Sequence, residues 1–275
     1  MRGGLLASYH YLREGFSKDP GRTSRHLQAV SGGLPVVLDS GAFSAANSGV
    51  PIPILEFGRF VRHHGSAYEW VASLDVIGDP DRTLSNWRAL RREYPVVPTV
   101  HLLTDLRFLD YYLDQGVHRI AMGGMVGNRG IAKLDSPEGQ WLQEALDRCV
   151  HRGVPVHGFG VTSRTVLDLY PWDSVDSTAA IRNAMFGKAL VLQDGGVGYR
   201  TAEPEELPSS EAALLLGNWE VVPRAGRDAR IRRNVRIIME GLATTGTATI
   251  YHAISPNGSD ERAVVRGVQD YMGKA

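Results

Sequence analysis

The sequence predicts a single α/β domain built as a (β/α)8, or TIM, barrel. Three observations predict it. Short apolar, β-rich runs alternate with amphipathic stretches, the links between them are short, and 275 residues suit one such barrel without a second core.

Seven runs read as strands: Leu6–Tyr11, Val36–Ser40, Trp70–Asp75, Val96–Leu102, Arg119–Gly123, Val154–Gly158 and Ser174–Ser177, with Ala248–His252 a candidate eighth. Between them lie helical patterns over Ile54–His64, Thr83–Glu93 (Leu84, Trp87, Leu90) and Asp105–Gln115 (Leu109, Tyr112, Leu113). The clearest helix opens at Ser136-Pro137-Glu138, a cap followed by Pro at the first helical position, and closes at Gly153. Its expected apolar face is Leu142, Leu146 and Val150. Residues 1–193 thus form the barrel body. Residues 194–210, DGGVGYRTAEPEELPSS, read as a loop or small insertion, and 211–275 as C-terminal helices with the last strand of the same domain.

Composition narrows the function classes. The chain is 43% hydrophobic and 22% charged, with no apolar run near the ~18–20 residues of a membrane span. Its first residues, MRGGLLASYHYLREG, lack the apolar core of a secretory signal, so a cytoplasmic protein is expected. Cys149 is the only cysteine, which excludes an internal disulfide and any multi-cysteine zinc site, and its helical spacing with Trp141 and Ala145 points to burial. No metal or cofactor is expected. Thirty Lys and Arg balance thirty Asp and Glu, so any nucleic-acid surface must come from local clustering.

In a barrel the reactive groups gather at the C-terminal ends of the strands. Here those ends carry Asp39 (VVLDSGAFS), Asp75 (VASLDVIGDP), His101 (VVPTVHL), Gly123-Gly124 (IAMGGM) and Asp176 (SVDS). An Asp after a strand is also a favoured helix cap, so each carboxylate alone reads equally as cap or functional group. Asp39 is followed by Ser40, Gly41 and Ala42, which leave space, and by Phe43, which can wall a flat pocket. Two carboxylates over one pocket suit displacement at an anomeric carbon, one acting as nucleophile and one moving a proton.

These residues resemble those of the tRNA-guanine transglycosylase (queuine tRNA-ribosyltransferase) superfamily. GVTSRTVLDLYPWDSVDSTAAIRNAMFG, Gly160–Gly187, is similar to the segment that leads to the family's nucleophilic Asp, and DSGAF, Asp39–Phe43, to its DSGG-aromatic motif with Ala42 for the second glycine. The order of motifs extends from Val36 to Gly187, about half the chain. FGVTS followed by YPWDSVDST is closer to a short, zinc-less phage and bacterial branch related to DNA 7-deazaguanine transglycosylases.

The resemblance implies a TIM barrel that exchanges guanine in DNA for a 7-deazaguanine. It implies Asp176 as nucleophile on C1′ and Asp39 as general acid/base. Asp75 would read the base edge, His101 would stand where the family keeps Gln, Gly123 and Gly124 would offer backbone groups, Ser40 would line the pocket and Phe43 would stack. The family's zinc subdomain cannot be built with Cys149 alone, which leaves DNA, tRNA or a nucleoside open as substrate. Arg182, Asn183 and Ala184 align with the Arg-Asn-Ala stretch downstream of the family's nucleophile, and Arg182 and Asn183 are taken as nucleic-acid contacts. PRAGRDARIRRNVR, Pro223–Arg236, carries six arginines, among them Arg230 and Arg233, on a helix with Ile231, Val235, Ile238 and Leu242 as its apolar face. Those arginines read either as phosphate contacts or as a solvated helix face. GGMVGNRG is a further, glycine-rich candidate for a phosphate cradle. Expected partners are a 7-deazaguanine base, a nucleic acid, and a second copy or an accessory DNA-acting protein. A barrel that only binds a base is the reading from another class, and it leaves the second carboxylate without a role.

Overall fold

The computed structural model describes residues 1–18, 31–193, 196, 198–207, 224–254 and 260–273. Nine strands are β1 (Arg2–Ser8), β2 (Val36–Asp39), β3 (Thr99–His101), β4 (Ile120–Gly123), β5 (Val156–Gly158), β6 (Ser174–Ser177), β7 (Leu190–Leu192), β8 (Tyr199–Thr201) and β9 (Thr249–Ile254). Seven of them form an all-parallel, curled sheet in the order β2-β1-β9-β6-β5-β4-β3, a half-barrel of TIM-like α/β type. Its helices pack on the outer face, as parallel sheets require. Among the described residues no helix is long and apolar enough to cross a membrane.

The last strand, β9, sits between β1 and β6, with Gly4 opposite Tyr251 and Asp176 opposite Tyr251 on the other side. Trp70–Asp75 forms no regular strand, but it bonds in parallel fashion to both neighbours. Leu38 N donates to Trp70 O and Ala72 N to Leu38 O, while Ser73 N donates to Val97 O and Val97 N to Val71 O. The concave face holds Leu6, Val37, Trp70, Ala72, Val97, Ala121 and Tyr251 as one buried cluster. A larger core lies between the strands and the helices.

Several expectations shift. The first strand begins at Arg2 rather than Leu6, and Tyr9, expected inside it, opens the helix Tyr9–Lys18. Gly3 and Gly4 look like loop residues, yet packing demands them: a Cβ on Gly3 would lie 2.4 Å from Val268 Cγ1, and one on Gly4 2.6 Å from the Tyr251 ring. Tyr9 packs edge-on against Phe57 and Phe60 and donates its hydroxyl to Glu56.

The helix over Ile54–His64 has the expected bounds. Its successor starts at Pro80, because Asp79 is the cap that accepts from Arg82 N. Ser136 caps Pro137–His151 through Gly139 N at 2.9 Å. Val150 is 59% exposed, so the buried face of that helix is Leu142, Ala145, Leu146 and Cys149. Burial pushes the Cys149 thiol up to about 12. The turn-rich stretch from 194 falls in an antiparallel hairpin of β7 and β8, and 208–223 lies outside the described residues.

Asn234, on the helix Arg224–Leu242, ties that hairpin to the sheet side. It accepts from Leu190 N at 2.8 Å and donates to Ala180 O and Lys188 O. Asn234→Leu would remove the partner of Leu190 N and Lys188 O and the second bond to Ala180 O, which its own helix Ala179–Met185 also pairs. It is expected to lower the urea unfolding midpoint, with m unchanged and a loss of about 3 kcal/mol; a loss under about 0.5 kcal/mol would show the clamp to be idle.

Candidate active site

Register decides which side chains reach the mouth. Ser8 pairs with Asp39 across β1 and β2, His101 with Gly123 across β3 and β4, and His157 with Ser174 across β5 and β6. Partners in a parallel ladder share a face, and side chains two residues apart return to it. Asp39, His101, Gly123 and Asp176 therefore stand together at the C-terminal ends of the strands on the concave side.

None of the three expected carboxylates caps a helix. Asp79 and Ser136 take that task through side-chain bonds, and Gly41 and Thr178 occupy the cap positions after Asp39 and Asp176. The corner after β2 turns on Gly41, whose φ is 80° and whose Cβ would meet His10 Cβ at 2.5 Å. It brings Gly41 N to Asp39 Oδ2 at 3.1 Å.

Asp75 is held from both sides. Ser40 Oγ donates to its Oδ1 at 3.0 Å, and His101 Nε2 lies 2.9 Å from its Oδ2. Ser40 is itself fully buried and accepts from Ala42 N, so it props Asp75 rather than lining space for a base. His101 likewise acts on Asp75 first. Gly123 is explained by His101, since a Cβ there would come within 3.0 Å of the imidazole, and its carbonyl already accepts from Leu102 N. The open backbone of the pair is that of Gly124, exposed with φ 77°.

Asp176 is 6% exposed. Its Oδ1 accepts from Gly160 N at 2.7 Å and lies 3.5 Å from His157 Nε2. His157, beside Asp176, is a site residue that the sequence reading passed over. Arg119 Nη1 donates to Ser174 Oγ, so the Ser174 hydroxyl can donate to His157 Nδ1 at 2.9 Å, which turns Nε2–H toward Asp176. Burial holds the His157 imidazole below its ordinary pKa despite the carboxylate, and it stays neutral. Trp70, Phe159 and Tyr251 surround it with aromatic rings. The alternation of His157 with Phe159 along VHGFG was the available signal.

Asp39 carries the electrostatic consequence. Burial, then the charges of Asp75 and Asp176, push its carboxyl up to about 7, against the opposing backbone bonds from Gly41 and Ser40. Phe43 is 63% exposed, at the rim rather than inside. No single cavity takes in all three carboxylates. One of about 1090 Å³ is lined by Gly160 and Ser177, beside Asp176, and includes Arg182 and Asn183; another of about 430 Å³ is lined by Asp75, Ala42 and Ile77.

The arginine-rich helix is corrected. Arg230 is fully buried and donates to Ala184 O at 2.7 Å, so it cannot meet a phosphate. Arg233 is half-buried on the same helix and is engaged within the protein. Ile231, Val235, Ile238 and Leu242 form the buried face as expected. Among the described residues no three or more His, Cys, Asp or Glu groups are disposed to hold a metal ion. The sequence matches no known family model, and no curated protein matches it significantly.

The raised Asp39 makes stability depend on pH. In the unfolded chain it titrates near 3.8 and in the folded protein near 7, so between these values the folded state keeps a proton that the unfolded state has lost. Its contribution therefore falls as pH rises across that window, and the full penalty stands above it. Asp39→Asn removes the titration. It is expected to match the parent near pH 4 and to exceed it above pH 7 by on the order of 1–3 kcal/mol, the mouth being partly open to water. Parallel melting curves of the two proteins across pH would disprove this.

Proposed function

We propose that the protein is a base-exchange transglycosylase that replaces guanine by a 7-deazaguanine in DNA through a covalent Asp176–C1′ intermediate. We read the fold as an eight-stave barrel whose eighth stave is the segment around Trp70–Leu74, hydrogen-bonded to both β2 and the residues before β3. The observation that carries the function is the division of labour among the carboxylates. Asp39 is poised near neutrality to give or take a proton, while Asp176 has one oxygen fixed by Gly160 N and no hydrogen bond from a described residue on the other. The order of motifs shared with the transglycosylases supports the same assignment.

In the first step Asp176 Oδ2 forms a bond to C1′ as the bond to guanine breaks. The leaving base takes the bond's electrons and receives a proton from Asp39. In the second step the deprotonated Asp39 accepts the proton of the incoming deazaguanine, whose nitrogen then attacks C1′ and releases Asp176. The two steps are mirror images, so the group that gives the first proton takes the second, and a pKa near the working pH serves both directions. Gly160 N orients Asp176 by donating to its Oδ1, with His157 Nε2 3.5 Å from the same oxygen. Asp75, steadied by Ser40 and His101, faces the edge of the base, Gly124 offers backbone groups, and Phe43 covers the rim.

Asp176→Asn is expected to fold as the parent does and to lose incorporation of labelled 7-deazaguanine into DNA by at least about 10³-fold, the scale on which a lost nucleophile is felt. Incorporation by the variant at the parental rate would refute the assignment. Mass spectrometry of nucleosides from DNA and from tRNA treated with the protein identifies the substrate.

A further inference from the structure

The cavity of about 1090 Å³ beside Asp176 has a distinctive charge pattern. Arg129, Arg182 and Lys188 line it, and no Asp or Glu does. None of the three forms an ion pair with a carboxylate of a described residue, whereas the outer-helix arginines Arg62, Arg148, Arg152 and Arg232 each do. The cations come from two separate segments, Arg129 from the loop after β4, and Arg182, on the helix Ala179–Met185, with Lys188 just beyond it, from the connection after β6. Phe186, 70% exposed, and Val126, 65% exposed, stand on the same lining. A soluble protein leaves a large aromatic ring this exposed at a binding surface more often than elsewhere.

We propose that this cavity binds the sugar–phosphate backbone of an unpaired polynucleotide strand, with phosphates on Arg129, Arg182 and Lys188 and a neighbouring base stacked on Phe186. Three cations exceed the need of one phosphate, and about 1090 Å³ exceeds the common range for a small-molecule pocket, roughly 300–1,000 Å³. A cationic groove with an aromatic platform is the arrangement that holds single strands without reading their sequence. Gly160 lines the cavity and also fixes Asp176, so a strand lying there runs directly to the carboxylate. Asp176 is too buried for a base still stacked in a duplex to present its C1′, which favours an unpaired or extruded nucleotide. The inference rests on the transglycosylase reading for what the strand delivers, and not for whether it binds.

The test is fluorescence anisotropy with a labelled single-stranded DNA, a matching RNA and a duplex, on the full chain, with guanosine monophosphate as competitor. The single strands are expected to bind more tightly than the duplex, with affinity falling steeply as salt rises. Arg182→Gln and Lys188→Gln should each weaken binding about tenfold and lower the salt slope by about one. Phe186→Ala should weaken it by roughly tenfold with the slope unchanged. Arg62→Gln, far from the groove, should change nothing, and circular dichroism checks that each variant is folded. The DNA and RNA arms tell which strand is preferred. Competition by the mononucleotide as strong as that by the oligonucleotide, or affinities untouched by the three groove substitutions, would overturn the proposal. Strand binding without base exchange would instead reject the transglycosylase reading and leave this one standing.

Discussion

The site depends on mutual repulsion among three carboxylates gathered at one end of a sheet. Burial, and then the neighbouring charges of Asp75 and Asp176, raise the pKa of Asp39, and the three carboxylates differ in the hydrogen bonds they receive. Asp75 receives Ser40 and His101, and Asp176 receives Gly160 N with His157 close by. Asp39 has only the backbone groups of its own turn, so the proton resides there.

The surrounding fold reads as support for that inequality. β9 must reach the centre of the sheet for β6 to lie beside it, and glycine at 3 and 4 lets β1 approach Tyr251 and Val268 closely enough to pair with β9. Gly41 turns the chain sharply so that its own N–H meets Asp39, and Gly123 makes room for His101 to reach Asp75. Below the mouth, Arg119, Ser174 and His157 form a polar chain inside an aromatic cage, which fixes the donor that faces Asp176. A substitution in this lower layer therefore acts on Asp176 from below.

Much of this was legible from residue order, and the failures have physical causes. Strand ends were readable because β-rich runs stop at polar residues, and β6 has the expected bounds, Ser174–Ser177. Gly3-Gly4 misled because propensity treats glycine as a breaker, whereas here the missing side chains are what packing needs. Val150 follows Leu146 at i+4, which drifts off the buried stripe; that stripe, at the 3.6-residue spacing Leu142, Ala145, Leu146, continues to Cys149 instead. Arg230 lies in a basic run whose charge suggested a surface, yet its side chain is buried and donates to the Ala184 carbonyl. Contacts that join distant segments, such as His101 with Asp75 or Asn234 with Leu190, leave no trace in local pattern.

Net charge offers the last lesson. A balance of thirty against thirty suggests indifference to polyanions, yet it constrains only the sum. On the outer helices arginines are neutralised by Asp and Glu neighbours, as at Arg148 with Asp110 and Arg152 with Asp114. Pairing of that kind cancels the field at distances beyond the Debye length, about 10 Å in ordinary buffer, and leaves cations without partners to act at short range. The groove beside Asp176 is such a place, while the mouth a few residues away is acidic. A polyanion drawn into the groove would be repelled from Asp39 and Asp75, so its backbone would stay on the cationic side while an uncharged base crosses to the carboxylates. If the proposed strand binding holds, the separation of cations from acids across β6 would orient a nucleotide before any specific contact with the base forms.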